Sequence, residues 1–213
     1  QVGRSIRFPL AHCLRWKPGD LSIANPKRLN HGLTVFHNVM SGHNEVVGLG
    51  HHLLPGFAPA PDQYVLRAAE IPLYDARIWL ANALRVTSPL PGSPPGWIKD
   101  LCGLGPGLTP SGDDFLAGVL IALHVLDETE LKQYLWQAIE PQIREHSNPI
   151  SLAHLSMAAR GLQGATIHGV MNAIYLGCET HIESAIGGLS NVGHTSGWDM
   201  ITGIVTTLDA WLN

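Results

Sequence analysis

The sequence predicts an α+β protein, with a small β-rich N-terminal region followed by a mainly α-helical bundle domain. Residues 2–73 contain short apolar runs separated by Gly, Pro, Asn and Asp turns, as strands joined by tight connections do. Pro89-Leu90-Pro91-Gly92-Ser93-Pro94-Pro95-Gly96 stops regular structure. After Gly96 the apolar residues recur at helical spacing almost to the end. The expected organisation is therefore a β-rich region with one helix over 1–88, a Pro/Gly linker over 89–96, and a helical domain over 97–213.

Ser5-Ile6-Arg7-Phe8, Leu21-Ser22-Ile23-Ala24, Leu33-Thr34-Val35-Phe36 and Glu45-Val46-Val47-Gly48 are the candidate strands. Leu54 to Pro61, with three prolines and a glycine, reads as a loop. Asp75 is placed to cap a helix over 76–85, with Ile78, Trp79 and Leu84 as its apolar stripe. Helices are then expected over 113–126, 128–145 (with Leu131, Leu135 and Ile139 on one face), 150–161, 165–176, 179–189 and 198–212. Asn148-Pro149 supplies the turn before the third of these, and Gly161 ends it.

Composition excludes several function classes. Lys plus Arg total 13, do not cluster, and are outnumbered by the 17 acids, so binding to nucleic acid through phosphate neutralisation is not expected. No run approaches the roughly 18 apolar residues of a membrane span, and the first residues lack a signal-peptide core. Cys13, Cys102 and Cys178 are odd in number and widely spaced, which fits neither a disulfide framework nor a zinc ribbon and points to a reducing cytoplasm. The chain opens on Gln1 rather than Met, which is compatible with further residues upstream. A small polar metabolite is the expected partner.

The chemistry concentrates in Gly103-Leu104-Gly105-Pro106-Gly107-Leu108-Thr109-Pro110-Ser111-Gly112-Asp113-Asp114, which leads into the apolar run Phe115 to Leu126. Alternating glycines permit positive φ and close approach to a ligand. Ser111 and Asp114 have capping-box spacing, which predicts a helix start whose N–H groups can receive an anion. The pattern returns near the C-terminus. Ser111-Gly112-Asp113-Asp114-Phe115-Leu116-Ala117-Gly118 aligns without gaps to Ser196-Gly197-Trp198-Asp199-Met200-Ile201-Thr202-Gly203. Gly103, Gly105, Gly107, Thr109, Ser111 and Gly112 are thus candidate anion-binding positions, with Thr195, Ser196 and Gly197 facing them. The two starts are expected on one cleft.

The glycine spacing is not that of a dinucleotide fingerprint, and Asp113-Asp114 stands where a P-loop requires Lys and Ser/Thr. What survives is a backbone-lined anion pocket whose carboxylates could accept Mg²⁺, with no cofactor firmly indicated. Asp114 and Asp199 read as cap partners that could also serve a site, whereas Asp113 has no capping role and is a catalytic candidate. His194, beside Gly193 and two hydroxyl residues, is the second catalytic candidate. His124, inside an apolar helix, reads as structural. No two histidines have the i, i+4 spacing of a helical metal site, so no His-based zinc centre is expected. Cys102 adjoins the loop and reads either as a nucleophile or, with no base identifiable, as packing.

Gly105-Pro106-Gly107-Leu108-Thr109-Pro110-Ser111 with Asp113-Asp114, then Ser147-Asn148-Pro149-Ile150-Ser151 ahead of Ala158-Ala159-Arg160-Gly161, then Gly193-His194-Thr195-Ser196-Gly197-Trp198-Asp199, resemble the AllH-type subunit of oxamate carbamoyltransferase and its uncharacterised relatives. The likeness covers roughly the last 115 residues. Ser147 and Pro149 depart from the pattern, which has Thr and a variable residue there. The resemblance implies one subunit of an enzyme of anaerobic allantoin breakdown that interconverts oxalurate and phosphate with oxamate and carbamoyl phosphate. It implies other subunits of the complex as partners, a small anionic substrate, and a binding role for Asn148 and Ser151. The alternative is a non-catalytic anion-binding, assembly or regulatory subunit. Neighbouring genes for carbamate kinase and the other transferase subunits would favour the first reading.

Overall fold

The computed structural model describes residues 19, 21, 23, 25–85 and 93–213, and among these there is no β-strand. The fold is all-α, which corrects the expected β-rich N-terminal region. Ser5 to Phe8 and the linker residues 89–92 lie outside the described residues. Leu33 to Phe36 is not a strand but the middle of α1, Pro26–Gly42. Its buried residues Leu29, Leu33, Phe36 and Met40 follow helical spacing, and Asn25 caps its start by accepting from Arg28 N–H. The short window Leu33-Thr34-Val35-Phe36 suits either period, and tertiary burial selects the helix. Glu45 to Val47 has no regular structure and leads into a 3-10 helix, Gly48–Leu53.

The second correction is the length of α2, Tyr64–Ala83, which begins well before the expected start at Ala76 and contains Pro72. Its core face is Leu66, Ala69, Leu73, Ala76 and Leu80. The later helices are α3, Trp97–Leu101; α4, Ser111–Val125; α5, Thr129–His146; α6, Pro149–Ala159; α7, Ala165–Leu176; α8, Glu179–Gly187; and α9, Ser196–Leu212. All but α3 lie close to expected helical segments. Leu131, Leu135 and Ile139 are fully or nearly fully buried on α5, and Gly161 takes φ +75 just beyond α6.

The core is continuous from Leu29 and Phe36 of α1 through α2 to Leu208 of α9, so helices on both sides of the Pro/Gly stretch contribute to it. At its centre lies α4, in which every residue except His124 is buried. His124 is therefore not an interior histidine. It stands at the solvent end of α4, with Nδ1 2.8 Å from Lys132 Nζ. No helix among the described residues is long and apolar enough to cross a membrane.

The principal helix contact is α4 on α9. A methyl group at Gly118 would lie 2.0 Å from the Met200 carbonyl oxygen, and one at Gly203 would lie 2.1 Å from the Phe115 carbonyl oxygen. Gly118 faces Met200 and Ile204, while Gly203 faces Phe115 and Val119. These contacts exchange under the shift that aligns Ser111 with Ser196. The repeated motif is thus a local two-fold packing device: two parallel helices cross backbone to backbone at paired glycines, and their N-termini emerge side by side.

Candidate functional site

The two helix starts meet. Thr109 Oγ1 and Ser196 Oγ are 3.1 Å apart, and a cleft of about 660 Å³ opens beside them. Pro106, Gly107 and Ser111 line it from the first loop, and His194 and Thr195 from the second. Gly48 and His51 of the 3-10 helix and Asp62, Gln63 and Tyr64 at the start of α2 complete the wall. No Lys or Arg among the described residues lines this cleft. Among the described residues none accepts a hydrogen bond from the N–H of Gly105, Gly107 or Thr109, while the Gly103 and Gly112 N–H groups are used internally.

The capping box does not form: Pro110 occupies the N-cap position of α4, Ser111 is already helical, and no side chain caps either α4 or α9. What replaces it is a buried layer of carboxylates. Asp113 accepts from Gly103 N–H at 2.7 Å on Oδ1, and from the Ser147 and Ser151 hydroxyls at 2.5 Å on Oδ2. It thereby ties the glycine loop to the junction of α5 and α6. Asn148 adds a second tie by capping α6, accepting from Ile150 and Ser151 N–H while its amide donates to Leu108 O at 2.9 Å. Asn148, Ser151 and Asp113 thus lie behind the loop, engaged with protein partners. The departure from the family pattern at Ser147 keeps the hydroxyl that Asp113 uses.

Asp114 and Asp199 are fully buried. Asp199 accepts from Leu49 N–H at 2.6 Å on Oδ1, and its Oδ2 has no partner among the described residues. Burial raises the Asp199 pKa; the Leu49 N–H and the Thr195 and Ser111 hydroxyls oppose that shift, and Asp114 reinforces it. The Asp114 carboxylate accepts no hydrogen bond among the described residues, and the His154 imidazole stands beside it, with Nδ1 3.4 Å from Oδ1. The other glycines serve packing: a methyl group at Gly103 would lie 2.2 Å from His146 O, at Gly112 2.0 Å from Leu101 O, and at Gly197 2.8 Å from Leu189 O. Gly105 takes φ +112 and closes on Ser111, whereas Gly107, at φ +104, has open space where a side chain would go.

Cys102 is a packing residue. Burial, with the Asp113 carboxylate second, pushes its thiol up to about 12, which leaves no thiolate for nucleophilic attack. Among the described residues no three His, Cys, Asp or Glu side chains are grouped to hold a metal ion. Three contributors were not legible in the sequence: the Gly48-Leu49 turn that reaches Asp199, His154 beneath Asp114, and Tyr64 on the cleft wall. Each lies dozens of residues or more from its partner and carries no local motif.

Residues 101–208, a little over half of the chain, match the family described as oxamate carbamoyltransferase subunit AllH. The chain belongs to the AllH family. That match takes in both helix starts, the Asp113 ties and the α4–α9 pair, and it leaves out α1, α2 and the Gly48–Leu53 turn. No solved structure matches the chain. A further cavity of about 470 Å³ between α1, α2 and α9, lined by His37, Glu70, Arg77 and Asp209 among others, contains none of the site residues expected from the sequence.

Proposed function

We propose that this AllH-family chain binds a small anion of the phosphate, carbamoyl phosphate or oxamate class at the paired helix starts, as one subunit of a carbamoyltransferase acting on oxamate or oxalurate. The single observation carrying this reading is the meeting of two N-termini on one cleft, with neutral donors on both loops. Helix N-termini and free loop N–H groups favour negative charge. Bonds from neutral N–H groups to an anion are charge-assisted and about twice as strong as neutral ones. Gly107 N–H, the Ser111 and Thr195 hydroxyls and His194 are the groups that reach the ligand. Thr109 and Ser196 hold the two loops together.

In carbamoyl transfer, negative charge develops on the carbonyl oxygen as the nucleophile adds to the carbamoyl carbon, and pre-aimed donors stabilise it. His194 is the proton carrier of this proposal, since it is exposed and lines the cleft. Asp113 acts one step back, by fixing Gly103 and hence the loop. The test is phosphorolysis of oxalurate by the reconstituted complex, comparing wild type with His194→Ala and Ser111→Ala. Loss of turnover with retained assembly supports this function, and full turnover in both variants removes the catalytic reading, leaving an assembly or regulatory subunit.

A further inference from the structure

We infer that α2 is the contact helix of a two-fold symmetric dimer of this chain, in which two copies of α2 pack antiparallel about Ile71. This inference stands apart from the carbamoyltransferase reading. While Leu66, Ala69, Leu73, Ala76 and Leu80 face the core, the opposite side of the helix also carries large apolar residues. Tyr64 is 78 % exposed, Ile71 71 %, Tyr74 64 % and Ile78 46 %. Their spacing of seven, three and four residues places them on one stripe along most of the helix. A contiguous stripe of this kind marks an interaction face, unlike the scattered apolar residues of an ordinary surface.

Charge selects the occupant. On the same stripe lie Arg67 and Asp75, both exposed. If two α2 helices lie antiparallel with Ile71 on the axis, Tyr64 faces Ile78 of the second copy, Ile71 faces Ile71, and Arg67 faces Asp75 at both ends. The face is thus complementary to itself, as an isologous two-fold interface requires. Parallel pairing would instead set Arg67 against Arg67 and Asp75 against Asp75, which is repulsive. The antiparallel arrangement also places Ile78 of the second copy beside Tyr64, which lines the candidate cleft, so the dimer would form part of that cleft's rim.

The test uses the full chain alone. Light scattering should give twice the 23.0 kDa chain mass for wild type and the single-chain mass for Ile71→Asp, with unchanged helical circular dichroism. Arg67→Asp should weaken the dimer at least tenfold, and adding Asp75→Arg should restore it, because the swapped pair is again complementary. Under mild oxidation, Ile71→Cys should form a disulfide-linked dimer and Tyr64→Cys should not, while Tyr64→Cys mixed with Ile78→Cys should cross-link. Wild type serves as the control for Cys13, Cys102 and Cys178. A monomer at all concentrations would overturn the inference, as would a dimer untouched by Ile71→Asp, failure of the charge swap to restore association, or Tyr64→Cys linking to itself as readily as Ile71→Cys. Protection of the stripe only when other proteins of the complex are added would overturn it as well.

Discussion

Asp199 is fully buried, and its carboxylate accepts a hydrogen bond from Leu49 N–H. Burial holds its pKa above the ordinary carboxylate value, so the folded protein binds this proton more tightly than the unfolded chain. A group of this kind contributes stability that is complete below the unfolded-state pKa, about 3.9, and lost as pH rises through the folded-state value. Asp199→Asn keeps an acceptor for Leu49 and removes the titration. The variant is expected to gain stability relative to wild type as pH rises from about 4 to neutrality, and thermal unfolding across that range checks it. A constant difference at all pH values would exclude this role for Asp199. Replacing Asp113 is instead expected to lower stability through lost hydrogen bonds. Its carboxylate gathers three donors, and hydrogen bonds to charged groups contribute about 1.5–3 kcal/mol each. Asp113→Ala should lower unfolding free energy by at least about 3 kcal/mol in urea titrations, and a loss below about 1 kcal/mol would show that the ties are weak. The sequence marks Asp113 as an acid without a capping role. Its function as a tie depends on Ser147 and Ser151, whose approach is set by the α5–α6 turn rather than by any local spacing.

At the scale of elements, the helices after Gly96 were legible because each carries its own period and punctuation: Asn148-Pro149 before α6, Gly161 after it, and Leu131, Leu135 and Ile139 along α5. The N-terminal elements were not. Short apolar windows such as Leu33 to Phe36 carry β-branched residues and fit both periods, and α1 is decided by Leu29 and Met40, which lie outside the window. In α2, the apolar stripe beginning at Tyr64 was obscured by Pro72 and by apolar residues on two faces. The repeated Ser-Gly-x-Asp motif was visible, but its structural meaning lies in the later glycines. Gly118→Ala and Gly203→Ala each push a methyl group to about 2 Å from a carbonyl oxygen of the facing helix. Each should cost about 3 kcal/mol by forcing α4 and α9 apart. The double variant should cost less than the sum, since the first separation relieves the second contact. Additive losses in unfolding experiments would show that the two glycines act independently.

For the whole molecule, the α4–α9 crossing makes the candidate cleft. Two parallel helices locked at Gly118 and Gly203 bring distant loops to one opening, and the interior acids beneath them hold the loops in place. The glycine loop and the second loop could be matched from the sequence alone, whereas the cleft's remaining wall, from Gly48 to Tyr64, depends on a long-range contact and falls outside the family match. The proposed function requires that this opening bind a small anion through neutral donors rather than through Lys or Arg. Calorimetric titration of inorganic phosphate into wild type, Gly107→Val and Lys99→Ala at low and high salt decides this. Gly107 lines the cleft with open space on its side-chain side, and Lys99 is the nearest cation preceding the loop in sequence. The expected result is binding that survives Lys99→Ala, weakens only modestly with salt, and disappears in Gly107→Val. Binding lost in Lys99→Ala and unchanged in Gly107→Val would show that a cation, not the loop backbone, holds the anion.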